Sequence, residues 1–160
     1  MSLWHKALSV RAPWAWLIAT GRKRIELRTR STSYRGPLLI CASRKVSESS
    51  CLVDGDVYDA AMAAPRGVSL CLVDLVDCRL ATADDTRDAC SEPEPDEWAW
   101  VLRNPRPVEP LPVSGALGFF WVDEHGRRGP GPVAPAAMIE DLASGRLHPG
   151  PLQGQRRRRP

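Results

Sequence analysis

Apolar and polar positions change period several times along the chain, and each change marks an element. "KALSV" (residues 6–10) alternates and predicts a strand. In "APWAWLIATG" (12–21), Trp14, Leu17 and Ile18 fall at i, i+3 and i+4, one apolar face of a short helix. Pro13 suits its first turn and Gly21 its C-terminal cap. "RKRIELRTR" (22–30) returns to period two: Ile25 and Leu27 point one way, Arg24, Glu26 and Arg28 the other. Tyr34-Arg35-Gly36-Pro37 reads as a turn, and "LLICAS" (38–43) as a short central strand. Residues 57–64 are the best helical stretch of the segment that follows, broken by Pro65-Arg66-Gly67. "VSLCLVDLVDCRLA" (68–81) predicts a long strand bent near Asp74. Residues 81–97 form an acidic, Pro-interrupted loop with one helical turn. Strands follow at 98–105, closed by Asn104-Pro105, and at 119–122.

These strands are not separated by regular helices, which excludes a parallel doubly wound sheet. The expectation is an α+β, mostly β domain: a small, partly open barrel with short flanking helices over residues 1–123. A Gly/Pro-rich extension at 124–152, with one docked helix at 136–145, and a disordered Arg-rich tail at 153–160 complete the chain. No internal repeat is visible.

Composition narrows the function. An apolar fraction of 43% in 160 residues allows one real core. The first ten residues, "MSLWHKALSV", contain no signal-peptide h-region, and no apolar run approaches a membrane span. The reading is a soluble, cytoplasmic monomer with no membrane contact. The five cysteines include no C-x-x-C pair, and His5, His125 and His148 are scattered away from them. Reduced thiols, no metal and no cofactor are expected.

Charge changes the picture more. Residues 1–45 hold ten Lys/Arg and one acid, whereas residues 46–155 hold eight Lys/Arg and eighteen acids. A basic N-terminal third is the electrostatic footprint of a polyanion binder, although the two halves could also neutralise each other in the fold. The lone acid, Glu26, lies inside "GRKRIELRTR" and shares a strand face with Arg28. A carboxylate beside a guanidinium can read a ligand edge that has both donors and acceptors, such as a nucleobase edge. The alternative is a structural ion pair with Lys23, Arg24 or Arg28. Strict alternation sets Lys23 on the opposite face, while a turn at the helix–strand junction would bring it to the same cleft. Arg11 and Trp14 open the neighbouring helix, where Trp14 could stack a base or pack in the core. Tyr34 and Arg35 follow the motif strand, and Ser43 ends the next one. Trp98 and Trp100 share a face and read as core.

The segment "ALSVRAPWAWLIATGRKRIELRTRSTSYRGPLLICAS" resembles the opening of ASCH domains, the activating-signal-cointegrator homology group. Its pattern G-x-K-x-x-E-x-R stands here as Gly21, Lys23, Glu26 and Arg28. "GVSLCLVDLVDC" and "WAWVLRNPRPVEPLPVSGALGFFWV" are similar to later blocks of the family in the same order, so the resemblance covers roughly residues 6–123. It implies a PUA-like β-barrel and a cleft lined by the motif. It also implies binding of a nucleic acid, RNA rather than DNA, or of a nucleotide or nucleoside. Ligand contacts would fall to Arg11, Trp14, Lys23, Glu26, Arg28, Tyr34, Arg35 and Ser43. Some ASCH-like proteins are similar to small amidohydrolases of acylated cytidines, and some have been linked to RNA cleavage; catalytic roles would then fall to Lys23 and Glu26. The amidohydrolases have a Thr where Glu26 stands, which puts their own mechanism in doubt here. Cys41 replaces a His that many relatives have in "LLICAS". A third reading, an interaction adaptor, would dock partners on the acidic segment 84–97.

Overall fold

The computed structural model describes residues 3–132. The helix expected at 136–145 and the tail at 153–160 lie outside the described residues. The elements in order are β1 (Trp4–Ala12), α1 (Trp14–Ala19), β2 (Ile25–Arg28), β3 (Gly36–Val46), α2 (Gly55–Ala63) and β4 (Val68–Leu80). A short 3₁₀ turn (Ala83–Asp85), α3 (Thr86–Ala89), β5 (Trp98–Pro107), β6 (Phe119–Asp123) and β7 (Arg128–Gly129) follow. None of the described helices is long and apolar enough to cross a membrane.

All seven strands join one sheet in the order β2-β5-β4-β3-β1-β6-β7. Only β1 and β3 run parallel among neighbours, and α1 and β2 lie on the connection between them. β3 sits in the middle, so Leu38 to Ala42 are all buried, as a strand covered on both faces requires. β4 alternates instead, with Ser69, Cys71, Val73 and Leu75 pointing inward.

The sheet curls on itself. Trp100 of β5 and Phe119 of β6 are separated by four strand spacings, about 19 Å in a flat sheet. Their ring centroids are 5.4 Å apart. Curvature of this order needs irregular pairing, and the register shifts on both sides of Asp74 supply it. The expected bend near Asp74 is therefore a pair of bulges. The rolled sheet and short helices form a mostly-strand α+β fold.

Local differences have local causes. Pro13 caps α1 rather than entering its first turn, and the Ala12–Pro13 peptide is cis. Gly21, at φ +78°, ends the helix with its amide on the Ile18 carbonyl, a conformation that glycine adopts without a side-chain clash. The motif strand is shorter than 22–30, because the Lys23 amide donates to the Leu17 carbonyl and keeps residues 21–24 in the helix exit.

Candidate functional site

β2 is the edge strand that carries the motif, and its register on β5 sets the site. Glu26 stands opposite Trp100 and Arg28 opposite Trp98. The alternate residue Ile25 packs with Ala89, Ala99 and Val101, with Leu27 against them, in a small separate core. That apolar seam fixes which way Glu26 and Arg28 face.

Glu26 is 6% exposed and lies between two cations. Lys23 Nζ is 3.6 Å from one carboxylate oxygen and an Arg28 nitrogen is 3.9 Å from the other. Both separations are long for a direct hydrogen bond, and the contact with Lys23 is the shorter of the two. Lys23 is 3% exposed; its ammonium donates to the Ala89 carbonyl at 2.6 Å and lies 4.8 Å from the Trp14 ring centroid. Burial pushes its pKa below the usual lysine range, with Glu26 opposing the shift. The Arg28 guanidinium lies 5.5 Å from the centroid of Trp100, whose indole donates to the Arg30 carbonyl.

Two cavities meet at Glu26 and Trp14. The larger, about 860 Å³, lies between the ends of β1 and β3 and the segment 112–118. Arg11, Trp14, Glu26, Arg28 and Ser43 line it, and Ser43 Oγ accepts the Lys45 amide. The smaller, about 560 Å³, holds Lys23 and the acidic loop after α3.

The model of the ASCH domain family matches residues 8–112. The chain belongs to the ASCH domain family. This family is generally thought to bind RNA. The crystal structure of an ASCH protein from Zymomonas mobilis is similar, with a TM-score of 0.52 at 14% identity over 88% of this chain and 94% of that one. A point variant of the same Zymomonas mobilis protein gives 0.50 at 13% identity, over 88% and 96%. These likenesses concern the fold. No curated protein matches the chain.

Of the eight residues expected to line an ASCH cleft here, the structure brings six to the paired cavities. Tyr34 and Arg35 do not line them. Tyr34 is buried in the main core, edge-on to Phe119, with its hydroxyl donating to the Pro37 carbonyl. Arg35 donates to the Thr32 and Tyr34 carbonyls and faces Asp77. Both are consumed in shaping the turn into β3. Tyr34 also forms a cage with Phe119 and Trp121 around the Lys6 ammonium, at 4.4, 5.2 and 5.1 Å. Replacing Lys6 with Gln is expected to lower stability by about 1 kcal/mol in urea denaturation, with Lys6→Arg keeping most of it. Equal stability of Lys6→Gln and wild type would show that the cage holds nothing together.

Cys41 lines the larger cavity but is 2% exposed, and burial pushes its thiol up to about 12. A protonated thiol is a poor nucleophile. The sequence reading missed Ser9, Arg44, Lys45 and the segment 112–118. Arg44-Lys45, directly after "LLICAS", was the available signal. Ser9 Oγ is buried without a hydrogen-bond partner among the described residues. A Cβ on Gly115 would stand 2.4 Å from it, so glycine lets segment 112–118 close against β1.

Proposed function

We propose that the cleft recognises one nucleotide unit, most naturally within single-stranded RNA. The Glu26 carboxylate supports this above all: it is buried, balanced by two cations at 3.6 and 3.9 Å, and lines both cavities. Such a group accepts N–H donors from a base edge at low desolvation cost, because its own has already been met in folding. Trp14 supplies a stacking face, and Arg28 with Arg11 supplies phosphate contacts. The family's general association with RNA supports RNA as the ligand class.

A second reading, hydrolysis of a bound modified nucleoside or RNA, is favoured by Lys23. Its lowered pKa beside a carboxylate suits proton transfer. Glu26 would take a proton from water and Lys23 would give one to the leaving group. The bond from Lys23 to Ala89 at 2.6 Å favours recognition, since it engages the ammonium and Lys23 does not line the larger cavity.

Tryptophan-fluorescence titration with single-stranded RNA at low and high salt tests the proposal, with chromatography of the mixture for product. Wild type should saturate, and Glu26→Gln should bind at least about tenfold more weakly at both salts. Equal, salt-erased binding by both proteins would reduce the site to a basic surface.

A further inference from the structure

Two groups at segment 112–118 are left unsatisfied, one apolar and one polar. Leu117 is 100% exposed, against 69% or less for every other large apolar side chain among the described residues, and it lines the larger cavity. A lone exposed leucine is ordinary on a surface; one at the rim of a ligand-sized cavity is placed to meet what enters. The polar group is Ser9 Oγ, on the β1 side of the same cavity. It is buried with no hydrogen-bond partner among the described residues, where a buried hydroxyl normally has one. Gly115 lies against it, since a Cβ there would stand 2.4 Å from the oxygen.

The segment is held firmly only at its ends. Val113, buried with Phe120 and Val122, donates its amide to the Gly67 carbonyl at 2.9 Å. Phe119 opens β6 opposite Leu8. Between these anchors, the amides of residues 114–118 donate no backbone hydrogen bond among the described residues. The exposed Arg128 donates to the Gly115 carbonyl at 3.2 Å, and Ala116 rests half-buried against the Val113 cluster. Gly118 takes a φ of +67°, with open space where a side chain would stand. So few backbone bonds, with glycine at both turns, let a segment rearrange while the strands around it stay paired.

One movement relieves both groups. We propose that residues 114–118 are a strap that closes Leu117 over the ligand in the larger cavity and, in doing so, carries Gly115 off Ser9. This rests on the recognition reading above and adds to it the element that covers the nucleotide once seated. Trp14 and Glu26 line the cavity from α1 and β2, and Leu117 supplies an apolar cover from the segment facing them. Leu117 gains burial that it lacks in the free protein. The Ser9 hydroxyl is uncovered and donates to the ligand. Both gains belong to the closed state alone, so the ligand shifts the strap towards it.

The test compares two redox states of one protein. Gly115 has no positive φ, and a Cβ there would stand 3.4 Å from Ser9 Cβ, close to the separation that a disulfide spans. Ser9→Cys/Gly115→Cys is oxidised with glutathione disulfide, and peptide mass spectrometry confirms that the bond joins the two engineered positions. Pinned to β1, the strap cannot close, and single-stranded RNA should bind at least about tenfold more weakly than to the same protein after reduction. Leu117→Ala should keep the wild-type midpoint in urea, because the side chain is fully exposed, yet bind RNA about tenfold more weakly. Ser9→Ala should unfold at no lower urea concentration than wild type, because the free protein loses no hydrogen bond. Equal RNA affinity of the pinned and reduced proteins, equal affinity of Leu117→Ala and wild type, or a lowered midpoint in Ser9→Ala would each overturn the strap and leave the recognition reading standing. Failure of wild type to bind RNA would remove the two together.

Discussion

Replacing Lys23 with alanine is expected to destabilise the protein by about 3–5 kcal/mol, an unusually large loss for a lysine. Three things go at once. The Ala89 carbonyl loses a donor at 2.6 Å. Glu26, 6% exposed, keeps only Arg28 at 3.9 Å. The space under the Trp14 ring, filled by a side chain 3% exposed, is emptied. Lys23→Met separates these effects, since it restores volume and leaves the charge uncompensated; it should recover only part of the loss. Adding Glu26→Leu to Lys23→Met should bring stability back towards wild type, because a buried pair exchanged for apolar side chains is often neutral. Urea denaturation of wild type, Lys23→Met, Glu26→Leu and the double variant gives the coupling directly. If Lys23→Met alone matched wild type, the ammonium would contribute nothing net. Recovery in the double variant would mean that the pair is dispensable to the fold and serves the cleft.

The second large effect is a loss of stability in alkali. Cys41 on β3 and Cys71 on β4 are 2% and 0% exposed, and burial pushes both thiols from 9.0 up to about 12. The unfolded chain gives up these protons near pH 9, and the folded chain holds them. A raised pKa of this kind leaves stability intact below the unfolded value and removes it as pH climbs towards the folded one. The slope is at most about 1.4 kcal/mol per pH unit for each thiol, so about 3 kcal/mol per unit for the two. Tyr34, its phenol also raised by burial, acts in the same sense. Lys23 acts in the opposite one: its lowered pKa makes stability rise with pH up to the ordinary lysine value of 10.5. Lys6, also lowered by burial, acts with Lys23, and the two are outweighed by Tyr34 and the four thiols Cys41, Cys51, Cys71 and Cys90, all raised by burial. Denaturation midpoints under reducing conditions, from about pH 8 to about pH 11, should therefore fall steeply in wild type and much less in Cys41→Ala/Cys71→Ala. Parallel slopes in the two proteins would show that these thiols do not carry the effect.

What was legible in the sequence follows the range of the forces involved. Period two in Ile25–Arg28 gave the right faces, because one short seam of Ile25, Ala89, Ala99 and Val101 decides it. Lys23 stayed ambiguous, because its direction depends on a hydrogen bond from its amide to Leu17 in the preceding helix. Asn104-Pro105 read as a strand end, yet β5 runs on to Pro107. Asn104 takes a φ of +58° there, as a short polar side chain tolerates, and the pairing with β4 slips by a residue nearby. β7 was missed because two residues, Arg128 and Gly129, pair only with Val122 and Trp121 and carry no periodicity. The acidic loop was visible as composition. Its position over Glu26 was not, since nothing local ties residues 91–97 to residue 26.

The sheet order also sets a schedule for synthesis. β1 bonds to β3 along one edge and to β6 along the other, so Trp4 finds its partner only in Asp123. At the ribosome's rate, roughly 6 to 24 s pass between the emergence of these two residues. Until then the first strand has one edge unfilled, and pairings this remote in sequence are slow to form. The whole Gly21–Arg28 motif leaves the ribosome early, while segment 112–118, the far wall of the larger cavity, comes late. A nascent chain halted before residue 112 would thus carry the complete recognition motif and lack a closed cleft in which to use it.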